Sequence, residues 1–441
     1  MASRCLEPRL ERASRAEMTR LQARRLREQV AHAAARSPFY RRKLRAAKVD
    51  PARIRTLEDL PRLPFTTKDE LKENQAARPP WGDVLAVPFR DVLRIHMTSA
   101  TTGRPLAFLD TAADWYGFYH SYARSLWAFG VRPTDMVMAA FSYGPWIGYW
   151  SGFYAAQDLG CCVFPAGGLS TDQRIDALLT YPITVLGCTP SYALFLAEHA
   201  AKKGVDLAKD TKLRITWHTG EPGASIPATR AKIEAAYGAR AFDLPGLTEI
   251  AAWGFECEAR SGLVHVHEDY VYPEVLDEQD RPVKPGERGE LVFTSLYRKA
   301  MPLLRYRTRD VVQLADRRCP CGRTLLALEG GVLARLDDMR KVRGLIVYPR
   351  RVEEIVRAHR AVDEFQIVFR RVEGLDDLLV CVDPSPALAA AERAGLADAL
   401  AKDLQLGLGM RVSVEVGEPG SLPRWDHKAR RVRDERTEVP F

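Results

Sequence analysis

Residues 97–105 read Met-Thr-Ser-Ala-Thr-Thr-Gly-Arg-Pro. Hydroxyl side chains, a glycine and a cation crowd into one turn-prone segment. Hydroxyls and free backbone N–H groups can wrap phosphate oxygens, Gly103 permits close approach of the chain, and Arg104 supplies positive charge. Ser99, Thr101, Thr102, Gly103 and Arg104 are therefore candidate phosphate contacts. The spacing is not that of a Walker A loop. Ser/Thr-Gly runs are also what plain surface loops look like, so the rest of the chain has to decide.

Outward from this loop, hydrophobic periodicity predicts an α/β fold. Residues 15–47 have the spacing of surface helices. Val131–Phe141 and Cys161–Pro165 read as short buried strands, Ser170–Leu179 as a helix, Ile183–Gly187 and Leu213–His218 as strands, and Pro227–Tyr237 as a helix. Such strand–helix alternation is the pattern of a sheet with helical crossovers. From Tyr272 the pattern turns antiparallel, with strands at Glu274–Asp277, Gly289–Ser295 and Val311–Leu314 and a Pro/Gly turn at 282–287. After Arg335 a new unit of about 100 residues begins. Helices are expected there at Val352–Ala358 and Leu388–Leu404, with strands at Glu364–Arg370, Leu378–Val382 and Arg411–Val416. The expected architecture is a large N-terminal domain with mixed sheets, residues 1–335, and a small mobile α+β domain, residues 336–441.

The chain of 441 residues is too long for one compact core, and 46% hydrophobic residues permit large ones. The net charge is +8, but basic and acidic residues are interleaved and no RNA-binding signature is present. Nucleic acid is not an expected partner. Met136–Gln157 carries no charge, yet Ser142-Tyr143-Gly144-Pro145 and Ser151-Gly152 break it. A strand, a turn and a buried helix fit better than a membrane span. No signal peptide is read at the N-terminus, so the eight cysteines are expected to be reduced and the protein cytoplasmic.

Four further segments bear on chemistry: His218-Thr219-Gly220-Glu221-Pro222-Gly223, Phe242-Asp243-Leu244-Pro245-Gly246-Leu247-Thr248-Glu249, Leu304-Arg305-Tyr306-Arg307-Thr308-Arg309-Asp310 and Arg335 through Gly344. Glu249 beside a phosphate loop suits Mg²⁺, which takes few protein carboxylates, but a solvated turn carboxylate reads the same way. Asp310 can accept hydrogen bonds from both ribose hydroxyls, or pair with Arg305, Arg307 or Arg309. Lys428 by itself reads as a surface charge. Phe141, Tyr143, Trp146 and Ile147 read by composition first as ordinary core residues, with a pocket wall as the alternative. Cys257, His265, Cys319 and Cys321 offer four zinc-type donors in two close pairs, with His267 as the alternative imidazole. The spacing is looser than a zinc finger and leaves an unmetallated cluster open.

In this order, together with Leu63-Pro64-Phe65-Thr66-Thr67-Lys68 and Leu422-Pro423-Arg424 ahead of Lys428, the segments resemble the adenylate-forming superfamily of acyl-CoA ligases. Within it the chain looks most like the phenylacetate–CoA ligase family. The likeness spans nearly the whole chain. It implies an AMP-forming acid–thiol ligase that uses ATP, Mg²⁺ and CoA on an aromatic carboxylic acid. By this resemblance Glu221, Pro222 and Asp243 lie against adenine, Thr248 and Glu249 serve phosphate and Mg²⁺, Asp310 holds the ribose and Arg335 sits near the nucleotide. Asp337 is the hinge, Lys428 the catalytic lysine, and Lys68 a second cation near the site. Gly220 joins Phe141, Tyr143, Trp146 and Ile147 in the acid pocket. The resemblance also implies a structural Zn²⁺ on the Cys/His set and is compatible with a homodimer. The chain departs from the family pattern at Ala100, where glycine is usual, and at Pro245, where an aromatic residue is usual. The rival readings are an adenylating enzyme that passes the acyl group to a carrier-protein thiol or an amine, and a nucleotide-binding regulator without catalysis.

Overall fold

The computed structural model describes residues 4–98, 105–372, 374–425 and 429–436. Ser99, Ala100, Thr101, Thr102, Gly103, Arg104 and Lys428 lie outside the described residues. Five parallel strands form the central sheet, in the spatial order Cys162–Pro165, Met136–Ala139, Val185–Cys188, Ile215–His218, Arg240–Asp243. Crossover helices Ile147–Asp158, Thr171–Thr180, Pro190–Lys202 and Pro227–Tyr237 return the chain each time. Parallel strands need such crossovers, and the free loops then gather at the strands' carboxyl ends. The Cys162–Pro165 strand is not buried as expected. It forms the sheet edge and Cys162 is exposed.

Large-to-small packing fixes the sheet against its helices. Trp217 is fully buried in register with Gly187. A Cβ on Gly187 would lie 2.1 Å from the indole, and one on Gly152 of the covering helix 2.6 Å from it. Only glycine at both positions leaves room for this ring.

The long helix Ala112–Phe129 starts at a Thr111/Asp114 capping box and ends at Gly130 in the left-handed region. It follows the antiparallel strand pair Val92–Met97/Ala107–Thr111, which flanks the hydroxyl-rich segment in sequence. A second, antiparallel sheet runs Val271–Leu276, Arg288–Ser295, Tyr306–Gln313, Ala334–Arg335. Its third strand begins five residues before the expected one. Arg305, just ahead of it, pairs with Glu274, and Arg307 pairs with Glu290 of the neighbouring strand and with Asp280, so these charges are neutralised.

Beyond Arg335 a separate four-stranded sheet forms, in the order Ser413–Val416, Leu375–Pro384, Val362–Val372, Val432–Asp434, with helices Pro349–Ala358 and Arg393–Leu408. The last helix starts later than expected because Ala389 is extended, with ψ 145°. Among the described residues no helix is long and apolar enough to cross a membrane.

Candidate active site

The motif loops meet at the carboxyl edge of the parallel sheet. Phe141 follows the strand ending at Ala139, Thr219–Pro222 follow His218, and Asp243 closes its own strand. Gly220 has φ +95°, a conformation that a side chain there would strain. Glu221 ties two remote segments together. Its Oε1 accepts the Ser191 backbone N–H at the start of helix Pro190–Lys202 (2.9 Å), and its Oε2 accepts the Ala429 N–H (3.0 Å). Ala429 follows Lys428 directly, so the C-terminal chain is bonded to this loop edge. Arg424 adds a second tie, reaching Glu198 of the large unit at 3.0 Å and Asp383 of the small one at 2.5 Å. Lys232 donates to the Val362 carbonyl as a third.

Glu249 is buried, and its Oε1 accepts the Tyr306 hydroxyl at 3.1 Å with Lys68 Nζ 3.7 Å away. Lys68 arrives there because Thr66 bonds backbone-to-backbone on either side of Tyr306, to Arg305 and Arg307, and Thr67 then caps the helix Lys68–Ala77. The other Glu249 oxygen accepts no hydrogen bond from the described residues. A buried carboxylate with one oxygen left unbonded among the described residues fits Mg²⁺, which takes few protein carboxylates. Thr248 is half-buried next to it.

Asp310 pairs with none of the three arginines in its own segment. The sheet register sets it opposite Arg335, whose Nη1 lies 2.8 Å from Oδ1. Burial pushes its carboxyl up to about 6 against the pull of Arg335, with Glu249 and Asp337 adding repulsion. Arg309 turns to Asp337 instead, at 2.9 Å, and Arg335 reaches the same carboxylate at 3.5 Å. The expected hinge residue is thus exposed and held by two guanidinium groups from the large unit. Asp243 is buried and pushed up to about 7, first by burial and then by the Glu256 carboxylate. Glu256 accepts the Asp243 N–H and is paired with Arg230.

The acid-pocket residues share one loop but not one environment. Ile147 is buried, and Phe141 is half-buried with its ring 5.3 Å from Trp217. Tyr143 and Trp146 are 48% and 39% exposed. Tyr143 packs on Tyr149, 4.7 Å between centroids, above Gly167 and Gly168. Trp217 and Tyr149 were not anticipated. No local motif marks them, and only the glycines facing them carry a signal.

Cys257, His265, Cys319 and Cys321 are all buried, with ligand atoms within 4.8 Å of one another. Cys257 and Cys319 sulfurs are 3.6 Å apart, and Cys321 sulfur is 3.4 Å from His265 Nε2. Tetrahedral edges around zinc at its usual bond lengths run from about 3.3 to 3.8 Å, so these two distances suit the ion, and the whole set would draw in slightly to hold it. His267 is not part of this set. Its nitrogens face Ser125 and Arg124, and burial holds it neutral. Among the described residues His265 Nδ1 has no hydrogen-bond partner.

A family model described as AMP-binding enzyme matches residues 18–297, and one described as AMP-binding enzyme C-terminal domain matches residues 344–436. Phenylacetate-coenzyme A ligase of Thermus thermophilus is 37% identical across 97% of this chain and 99% of that protein. The Escherichia coli protein of the same name is 35% identical across 98% of each. Among solved structures, 2-hydroxyisobutyryl-CoA ligase in its postadenylation state is 34% identical with a TM-score of 0.93, covering 98% of this chain and 93% of that one. The same enzyme in its thioesterification state, with the same identity and coverage, scores 0.74. The present arrangement of the two units therefore follows the postadenylation form. Sequence, fold and these likenesses agree that the chain belongs to the AMP-binding enzymes and, among them, to the phenylacetate–CoA ligase family of AMP-forming acid–thiol ligases.

Proposed function

We propose that this chain activates an aromatic carboxylic acid with ATP and passes the acyl group to coenzyme A. In the first step a carboxylate oxygen attacks the α-phosphorus of ATP and pyrophosphate leaves. In the second, the CoA thiolate attacks the acyl carbon of the adenylate and AMP leaves. The observation that carries this reading is that Thr219–Pro222 and Asp243 share the carboxyl edge of the parallel sheet, Glu249 lies near enough to Asp310 to repel it, Asp310 pairs with Arg335, and the chain next to Lys428 is bonded to Glu221.

Asp310 takes the ribose hydroxyls, Arg335 steadies Asp310, and Glu221–Pro222 and Asp243 border adenine. Ser99, Thr101, Thr102, Gly103 and Arg104 take the phosphates. Glu249, beside Thr248, would hold Mg²⁺, which neutralises phosphate charge. Lys428 is the catalytic cation of the first step. Lys68, near Glu249, adds positive field. Rotation of residues 336–441 about Asp337 then withdraws Lys428 and admits CoA. Cys257, His265, Cys319 and Cys321 hold a structural Zn²⁺, in a cytoplasmic setting where the remaining thiols stay reduced.

The Asp310 assignment has a pH signature. Its carboxyl is ionised above about 6 and neutral below; only the ionised form accepts from both ribose hydroxyls. Nucleotide affinity should therefore fall as pH drops from 7 to 5. Asp243 titrates near the same range, so Asp310→Asn is the control. It should weaken nucleotide binding by roughly 10–100-fold, the worth of a charge-assisted hydrogen bond, and flatten the part of the profile near pH 6. Calorimetric titrations across that range check it, and an unchanged slope in the variant would remove Asp310 from the ribose.

Phe141, Tyr143, Trp146, Ile147 and Gly220 frame the acid. A flat apolar wall favours benzoate- or arylacetate-like acids over fatty acids. One observation favours a more compact acid: Trp217 fills the space behind Phe141. Pyrophosphate release measured with phenylacetate, benzoate, 2-hydroxyisobutyrate and a fatty acid separates these readings. Preference for the ring acids is the expected result, and preference for a fatty acid would overturn the pocket assignment.

A further inference from the structure

Arg298 and Asp110 are both fully buried and belong to no recognisable motif. Asp110 lies on Ala107–Thr111, the second strand of the hairpin that flanks the hydroxyl-rich segment in sequence. Arg298 follows the strand Arg288–Ser295 of the other sheet. Its Nη2 stands 2.7 Å from Asp110 Oδ1. Its Nη1 donates to the Thr248 carbonyl at 3.1 Å and to the Glu249 carbonyl at 2.7 Å. The neighbouring Tyr297 hydroxyl donates to the Ile250 carbonyl at 3.2 Å. Three consecutive carbonyls of the Thr-Glu turn are thus held by two adjacent side chains. The next residue, Ala251, has φ +106°, a strained conformation for a residue with a Cβ that persists only where its surroundings hold it.

The segment that does the holding is itself anchored. Asp114, at the start of helix Ala112–Phe129, accepts the backbone N–H groups of Lys299 and Ala300 at 2.6 and 2.9 Å. The Phe108 ring packs under the guanidinium, 5.1 Å from its centroid. His96 Nε2 lies 3.9 Å from Asp110 Oδ2, and Arg94 is opposite Asp110 across the hairpin. The Arg298–Asp110 contact is close but not aligned as a hydrogen bond, since Nη2 and Oδ1 both lack a partner of good geometry. A buried ion pair of that quality is a poor source of stability; apolar residues of the same volume would serve as well. What apolar residues cannot supply is a donor to the Thr248 and Glu249 carbonyls that is also charge-coupled to the hairpin.

We propose that Arg298 is a positioning residue that sets the Glu249 carboxylate at a fixed distance from the phosphate-loop hairpin, with Asp110 as its anchor. This rests on the reading of Glu249 as the Mg²⁺ ligand. Arg298 touches neither substrate nor ion; it acts through the backbone of the residue that does.

The test uses the full chain as Arg298→Lys and Asp110→Asn. Lysine keeps the charge but loses the fork that reaches two carbonyls and a carboxylate, and asparagine keeps the shape of Asp110 without its charge. Calorimetric titration with an ATP analogue uncleavable between its α- and β-phosphates, with and without Mg²⁺, gives the gain in affinity that the ion brings. Both variants should reduce that gain, by about 10–100-fold in metal affinity for Arg298→Lys, as loss of an outer-sphere partner does. Amide exchange at Leu247–Ala252 should quicken in both, while the C-terminal sheet keeps its protection. A merely structural pair would lower the melting temperature and leave the Mg²⁺ gain intact, and that result in either folded variant overturns the proposal. If Arg298→Lys does not fold, Asp110→Asn decides alone. A wild-type chain with no Mg²⁺ gain would remove the Glu249 assignment and this inference together, whereas a wild-type gain that both variants retain would remove the inference only.

Discussion

Lys428→Ala is expected to slow acid-dependent pyrophosphate release by about 10²–10³-fold, the usual cost of removing one group aimed at developing charge. Transfer of the acyl group from preformed adenylate to CoA should stay near the wild-type rate. The asymmetry follows from the two-position scheme. The residue after Lys428 is hydrogen-bonded to Glu221 beside the nucleotide loops, and Arg424 and Lys232 add ties between the same two units. This arrangement matches a relative's postadenylation form far better than its thioesterification form. A lysine delivered by a rotating unit serves the step for which that unit is docked. Measuring the half-reactions separately, with synthetic acyl-adenylate for the second, checks this, and equal loss of both would remove Lys428 from its assigned role.

Cys321→Ser should be the most destabilising change outside the active site. The four donors come from the Cys319–Cys321 turn, from His265 on the strand Leu263–Val266, and from Cys257, two residues past the strand Gly254–Phe255 that pairs with it. Three buried thiols and an imidazole so close together cannot all ionise without a cation, and a zinc ion ionises the thiols outright. Without the metal, the contacts left to the turn's sulfurs among the described residues are weak hydrogen bonds such as those with the Ser261 hydroxyl and the Arg323 N–H. The expected loss is about 4 kcal/mol or more, in the range reached by removal of a structural metal. Elemental analysis should find about one zinc per wild-type chain, and a strong chelator should lower the wild-type melting temperature toward that of the variant. A metal-free protein whose melting temperature ignores chelator would dispose of the site.

The loops were more legible in the sequence than the elements that place them. Gly220, Glu221, Asp243, Glu249 and Asp310 stand in polar, turn-rich runs whose residue types suggest their chemistry. The helix Ala112–Phe129 gave little periodic signal because it is buried on most of its circumference, Arg124, Ser121 and Ser125 included. Three arginines lie beside Asp310 in sequence, while its actual partner, Arg335, reaches it only through sheet register. His265 and His267 could not be separated by spacing, and only the network around Arg124 claims the second. Arg298 and Asp110 were invisible for the same reason: a buried ion pair between distant segments has no local pattern.

The central claim is that one site makes an acyl-adenylate and then a thioester. Incubation with ATP, Mg²⁺ and a panel of aromatic acids, with and without CoA, followed by mass spectrometry of the products, tests it most directly. The account predicts acid-dependent pyrophosphate with acyl-AMP when CoA is absent, and aryl-CoA with AMP when it is present. Acyl-AMP that is never converted to a thioester would move the second step to another acceptor, and binding of ATP with no acid-dependent pyrophosphate for any acid would contradict the account.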